Sequence, residues 1–207
     1  MQQNGGAAWK ITMDTSPAMM TALYVRDAAG LVGAGEPAIS KASPRVHPMD
    51  HHHLTAPVGG QEALRIEWEN WWRALVKNPH TIDFAVDPGL DPEAFGQFEN
   101  SPALQRVFQA HYGAALEWVQ KRSLEYKKLQ SERYVSGVSG ILQDMVQDRE
   151  LELGRSPRNF ELSIIELPLC EERAWYLEPD TIIMSHNLLS QPEIFRSYVQ
   201  PVVELLV

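Results

Sequence analysis

Residues 61–77, QEALRIEWENWWRALVK, carry three of the protein's six tryptophans within five positions. At about 100° per residue, six apolar side chains of this stretch fall in one arc of roughly 140°, and most of its polar side chains fall outside it. The spacing predicts a helix that turns its apolar face to the core. Because burying one tryptophan removes about 150–250 Å² from water, the rest of the fold must supply a large apolar surface. The six apolar residues are Leu64, Trp68, Trp71, Trp72, Leu75 and Val76.

A long helix is predicted to supply that surface. Ser101 followed by Pro102 is a helix start signal, and apolar residues then recur at helical spacing to Leu129. Glycines near position 138 interrupt the pattern, which resumes and ends at Gly154. With a short helix that starts at an Asp-Pro pair, the predicted helical layer comprises residues 61–77, 91–98, 102–135 and 138–153.

The N-terminal part has strand-like patterns. Trp9, Ile11 and Met13 alternate with polar residues, which indicates a half-buried strand. Residues 17–33 favour two further short strands joined by a turn, although Ser16 as N-cap with proline at the next position would equally start a helix.

Beyond the helical layer the spacing of apolar residues changes from a helical to a strand-like period. Residues 159–185 predict a C-terminal antiparallel meander, and residues 191–206 predict a closing helix that begins at a capping box formed by Ser190 and Glu193. A short strand is also predicted at 81–86. The chain is therefore expected to be of the α+β class.

We expect one domain over residues 1–207 with a linker or extended arm inside it. Residues 35–60 are rich in proline, glycine and histidine, and prolines and glycines at this density disfavour long regular elements.

Charge and cysteine content restrict the function. A net charge of −9 disfavours nucleic-acid binding, and the basic stretch at 121–128 is interleaved with glutamates. The one cysteine, Cys170, permits no intrachain disulfide. The first residues resemble no signal peptide, and no apolar stretch approaches the roughly 20 residues of a membrane span. The expected location is the cytosol, with no membrane contact.

The histidine-rich segment offers the most direct candidate for chemistry. His47, Asp50, His51 and His53 lie within seven positions, and imidazole and carboxylate groups are ligands for Zn²⁺. However, no established catalytic spacing such as H-E-x-x-H is present. A solvated loop is the alternative interpretation of the segment.

Other candidate residues have structural interpretations. His111 lies within the apolar stripe of the long helix and is expected to be a hydrogen-bonded core histidine. Arg122 is expected to pair with Glu117 or Glu125. Glu171 and Glu172 follow Cys170 and disfavour a reactive thiolate, and no nucleotide-binding or nucleophile-elbow motif occurs.

Arg65 and Trp72 are the candidate interaction residues. Both lie toward one edge of the tryptophan face, where arginine–aromatic contact is available, so Trp72→Ala is expected to destabilise the protein less than Trp68→Ala. The sequence leans toward a non-enzymatic cytosolic protein that binds a protein partner or a second copy, such as an immunity-like or assembly-accessory protein. The alternative is a metal-dependent hydrolase that uses the His47–His53 segment.

Overall fold

The computed structural model describes residues 9–78, 95–96, 98–136, 140–155 and 159–207. Within these ranges it contains six α-helices and a mixed four-stranded sheet, which confirms the α+β class. The chain divides into two compact units. The sheet unit takes its described residues from Met1–Thr15, Tyr126–Glu166 and Glu172–Val207, and the tryptophan unit takes them from Ser16–Glu125 and Leu167–Glu171.

The elements follow one another along the described chain in this order: β1 (Trp9–Asp14), α1 (Pro17–Ala28), α2 (His52–Thr55), a 3₁₀ turn (Ala56–Val58), α3 (Gly60–Lys77), α4 (Pro102–Ser136), α5 (Ile141–Leu153), β2 (Phe160–Leu167), β3 (Ala174–Leu177), β4 (Thr181–Ser185), a second 3₁₀ turn (Leu188–Ser190) and α6 (Pro192–Leu206). The predicted strand at 81–86 and most of the predicted helix at 91–98 lie outside the described residues, as do the residues 137–139 of the predicted interruption.

The sheet of the sheet unit has the order β1-β2-β4-β3. β1 pairs with β2 in parallel, from Trp9 opposite Phe160 to Asp14 opposite Ile165, and β3 pairs with β4 antiparallel. The predicted meander is therefore wrong in strand order. β4 takes the inner position because its Ile182–Met184 stretch is fully buried, whereas β3 is only half-buried and forms the edge.

The core of the sheet unit lies on one face of this sheet. Phe160, Leu162 and Ile164 of β2 pack there with apolar residues of β4, α5 and α6. The predicted closing helix is confirmed as α6 and continues through Pro201. The predicted capping box is wrong, because Gln191 is the N-cap and makes no side-chain capping bond.

The tryptophan unit is built on α3, as its sequence predicts. Leu64, Trp68, Trp71, Trp72 and Leu75 are all buried. Trp68 donates from Nε1 to the Ala22 carbonyl oxygen of α1 at 2.9 Å. Trp71 packs edge-on against Phe108 of α4, with ring centroids 5.8 Å apart. The predicted pairing of the tryptophan helix with the long helix is confirmed.

α1 corrects the expectation of strands at residues 17–33. The Ser16 hydroxyl accepts a hydrogen bond from the Met19 amide, and Pro17 stands at the first helical position. Every residue from position 18 to position 26 is buried. Because a helix buried on all sides has no polar face, it shows no amphipathic period, and its apolar run resembles a strand.

The segment at residues 35–60 forms part of the tryptophan unit and is not an extended arm. Ile39, Ala42 and Thr55 are buried, and the segment forms a bridge with Leu169 and a short helix, α2. At Gly35 the backbone φ is 99°, and a Cβ would come within 3.0 Å of the Trp72 ring. The segment therefore covers the rings of Trp68 and Trp72.

Among the helices of the described ranges, none combines the length and the apolar composition that a membrane span requires.

Candidate functional site

The four predicted metal-binding residues differ in exposure. His47, Asp50 and His53 are exposed, whereas His51 is 4% exposed. The buried partner of His51 is His111 of α4, which is 5% exposed. Over the described residues, no three histidine, cysteine, aspartate or glutamate side chains converge as a metal-ligand group. The metal-dependent hydrolase therefore stays a prediction, and the described residues supply no set of three metal ligands for it.

His51 and His111 form a buried imidazole pair. Their Nε2 atoms lie 2.5 Å apart, and the rings are tilted by 60°. Burial lowers the pKa of His51, and His53 adds to the decrease while the Met49 carbonyl and Asp50 oppose it. Burial and the nearby His51 lower the pKa of His111. Two neutral rings of this kind share one hydrogen, with one nitrogen as donor and the other as acceptor.

This pair confirms His111 as a hydrogen-bonded core histidine. Arg122 likewise donates to Glu125 at 2.6 Å, as predicted, and its guanidinium lies 5.8 Å from the centre of the Trp118 ring. In the basic stretch at 121–128, Lys121 pairs with Glu117. The stretch is therefore a helix surface with internal ion pairs.

The two predicted interaction residues differ in exposure. Trp72 is fully buried and stacks on Trp68 with ring centroids 5.5 Å apart. The prediction that it lies at an exposed edge is wrong, because the segment that contains Gly35 covers it. The Arg65 side chain is 39% exposed, donates to the Val32 carbonyl oxygen and lies 3.6 Å from Glu69.

A pocket of about 480 Å³ in the tryptophan unit includes Cys170. Its buried wall contains Arg26, whose guanidinium donates to Asp27 and to the carbonyl oxygens of Ile39 and Ser40. The Cys170 thiol is exposed and donates to the Ala42 carbonyl oxygen at 3.1 Å. These contacts stabilise the loop that contains Ile39, Ser40 and Ala42. The Arg26 guanidinium is used in these structural hydrogen bonds.

A larger groove of about 750 Å³ lies in the sheet unit, and we call it the β1 groove. Its walls come from β1, from the last turns of α4, from α5 and from the turn before α6. Tyr134 and Val135 of α4 are 80% and 86% exposed. The described lining residues are Ile11, Met13, Lys127, Gln130, Ser131, Arg133, Tyr134, Val135, Leu142 and Leu189.

A buried polar network holds the α4 wall of this groove. Arg133 donates from Nη1 to both carboxylate oxygens of Glu166, at 2.8 and 2.7 Å, and from Nη2 to the His186 carbonyl oxygen. Tyr126 donates to Glu166 at 3.0 Å. Burial raises the pKa of Glu166, and the Arg133 charge opposes that rise. Because α4 turns about 100° per residue, fixing Arg133 inward directs the next two side chains outward.

The β1 groove and its network were not predicted from the sequence. The one available signal was Glu166, a carboxylate inside the apolar run of β2, since a buried acid needs a buried partner. Comparison of the chain with models of protein families, with curated proteins and with solved structures yields no match.

Proposed function

We propose that this protein acts through protein–protein contacts, without catalysis, and that the β1 groove is its contact surface. The observation that carries the proposal is the exposure of Tyr134 and Val135, at 80% and 86%, on consecutive positions beside a concave apolar wall. Single exposed apolar residues are ordinary. Two that adjoin a groove form a patch of the kind that marks interaction sites.

The composition of the groove supports binding. Its described lining combines apolar side chains with hydroxyl, amide and cationic groups, which resembles the apolar centre and polar rim of a protein interface. Tyr134 is the expected anchor, because tyrosine side chains are enriched among the residues that dominate interface energies. Ile11 and Met13 in the β1 wall are half-buried, and a partner side chain would cover the rest of their surface.

Rigidity of the groove wall also supports the proposal. The contacts among Arg133, Glu166 and Tyr126 are buried, so the end of α4 is held before a partner arrives. A preorganised surface loses less conformational entropy on binding than a mobile one.

The role we propose is that of an immunity-like or assembly-accessory protein in the cytosol. The single cysteine, which can form no intrachain disulfide, fits a reducing, intracellular location.

A photo-crosslinking amino acid at position 135 tests the proposal in cells of the native host. The matched control is position 205 on α6, because Leu205 is 69% exposed and is not among the lining residues of the groove. We expect specific protein adducts from position 135 that are absent from position 205, and weaker binding of the identified, purified partner to the Tyr134→Ala variant. Equal adducts at both positions, or none at 135, would overturn the proposal.

A further inference from the structure

β1 is an edge strand of the described sheet, since β2 is its one neighbour in the strand order. An edge strand presents unpaired backbone groups along its outer side, where another strand can add. Lys10 and Asp14 on β1 are both exposed. Within the described chain neither side chain forms an ion pair, and Asp14 accepts a hydrogen bond from the adjacent Thr15 amide. The edge therefore carries a charge of each sign that an opposing strand could pair.

We propose that the occupant of the β1 groove is a second copy of this chain, docked by antiparallel pairing of the two β1 strands. The inference rests on the proposed function, because it names the partner of the same surface. A two-fold axis through Thr12 places Lys10 of each copy opposite Asp14 of the other. The sequence of β1, WKITMD, is self-complementary in charge about its Thr12 position.

Only this axis pairs the charges. Moving it by one residue, to position 11 or 13, places Thr12 opposite Lys10 or opposite Asp14 and leaves both charges without an opposite partner. A symmetric dimer uses the same patch of both copies, so the contact between Lys10 of one copy and Asp14 of the other forms twice. Opposite charges directly across two strands stabilise the pairing, and like charges destabilise it.

The same register suits the apolar face. Side chains alternate across a strand, so Ile11 and Met13 share the face opposite to that of Lys10 and Asp14. With the axis at Thr12, Ile11 of one copy lies beside Met13 of the other. Both residues line the groove, together with Tyr134 and Val135. The second strand would thus bring two apolar side chains to the open side of the groove.

The test is the self-association of the full chain, measured by sedimentation equilibrium with a circular-dichroism check of folding. We expect a dimer for the wild type and a dissociation constant raised roughly tenfold or more by Lys10→Glu or by Asp14→Lys, since each creates two repulsive pairs. The double variant that carries both changes restores the attraction and is expected to dimerise like the wild type. Lys121→Glu, an exposed site in the tryptophan unit, is the control and should leave the constant unchanged.

A monomer at all concentrations up to about 1 mM, or a dimer indifferent to both charge reversals, would overturn the second-copy inference. Failure of the proposed function is distinguishable from this result. Adducts from position 135 to a different protein, together with a monomeric wild type, would leave the contact surface in place and remove only the second copy as its occupant.

Discussion

Arg133 on α4 donates from a single nitrogen to both carboxylate oxygens of Glu166 on β2, at 2.8 and 2.7 Å, and both side chains are at least nine-tenths buried. This contact ties the last turns of the longest described helix to the sheet and holds one wall of the β1 groove. Forming a buried ion pair requires the desolvation of two charges, which is unfavourable. Removing only one partner by mutation destabilises the fold more strongly, because the remaining buried charge then has no partner.

Glu166→Gln is therefore expected to lower the free energy of unfolding by about 3–5 kcal/mol. Chemical denaturation measures the change. Glu152→Gln is the matched control, since Glu152 pairs with Arg149 at 2.9 Å on the exposed surface, and such pairs contribute about 0–1 kcal/mol. Similar small losses in both variants would contradict a stabilising role for the buried pair.

The histidine pair predicts a dependence of stability on pH. The folded-state pKa values of His51 and His111 are lowered, so below the ordinary value of about 6.5 the unfolded chain binds protons that the folded chain does not. Stability is then greatest above about pH 6.5 and falls as the pH decreases, by up to about 1.4 kcal/mol per pH unit for each histidine.

Thermal unfolding between about pH 5 and 8 measures this dependence. A variant with both His51→Phe and His111→Leu should lose less stability as the pH falls below about 6.5, so the acidic limb of its stability curve should be flatter. His47→Gln, at an exposed position, should leave this acidic limb unchanged. An acidic limb of equal slope in all three proteins would show that other groups cause it.

Trp72→Ala and Trp68→Ala are expected to destabilise the protein to a similar extent, by about 3–5 kcal/mol each. Both rings are fully buried and stacked on each other, which replaces the expectation that Trp72 contributes less. Ile66→Ala on the same helix is the control, because Ile66 is 52% exposed and should cost within about 0.5 kcal/mol. A loss for Trp72→Ala as small as that control would restore an exposed edge for a partner.

Zinc is expected to leave the thermal unfolding temperature of chelator-treated protein unchanged, since no metal-ligand group of three forms among the described residues. Binding to the folded state would raise that temperature by mass action. A saturable increase that disappears in the His51→Ala, His53→Ala double variant would instead support the metal-dependent hydrolase.

The sequence predicted the elements that have one buried side and one exposed side. α3 and α4 show a helical period because each packs on one face and meets solvent on the other, and β1 alternates for the same reason. α1 lacks that period because it is buried on all sides, so its apolar run indicates strands and not a helix.

The contacts that build the candidate surfaces connect distant positions. His51 and His111 are 60 residues apart, and Arg133 and Glu166 are 33 apart. No local pattern encodes such a contact. A buried charge or histidine within an apolar run, as at Glu166 and His111, indicates only that some partner exists.

The most direct test that two copies of this chain pair at the β1 edge is native mass spectrometry of mixed variants. Lys10→Glu and Asp14→Lys chains each repel themselves in the register centred on Thr12. In a mixed pair, the introduced glutamate of one chain faces the introduced lysine of the other, and the retained Asp14 faces the retained Lys10. We expect the mixture to form the mixed dimer at the expense of both self-pairs. A mixture in which mixed dimers are absent, or no more abundant than random assortment predicts, would contradict the pairing of two copies at this edge.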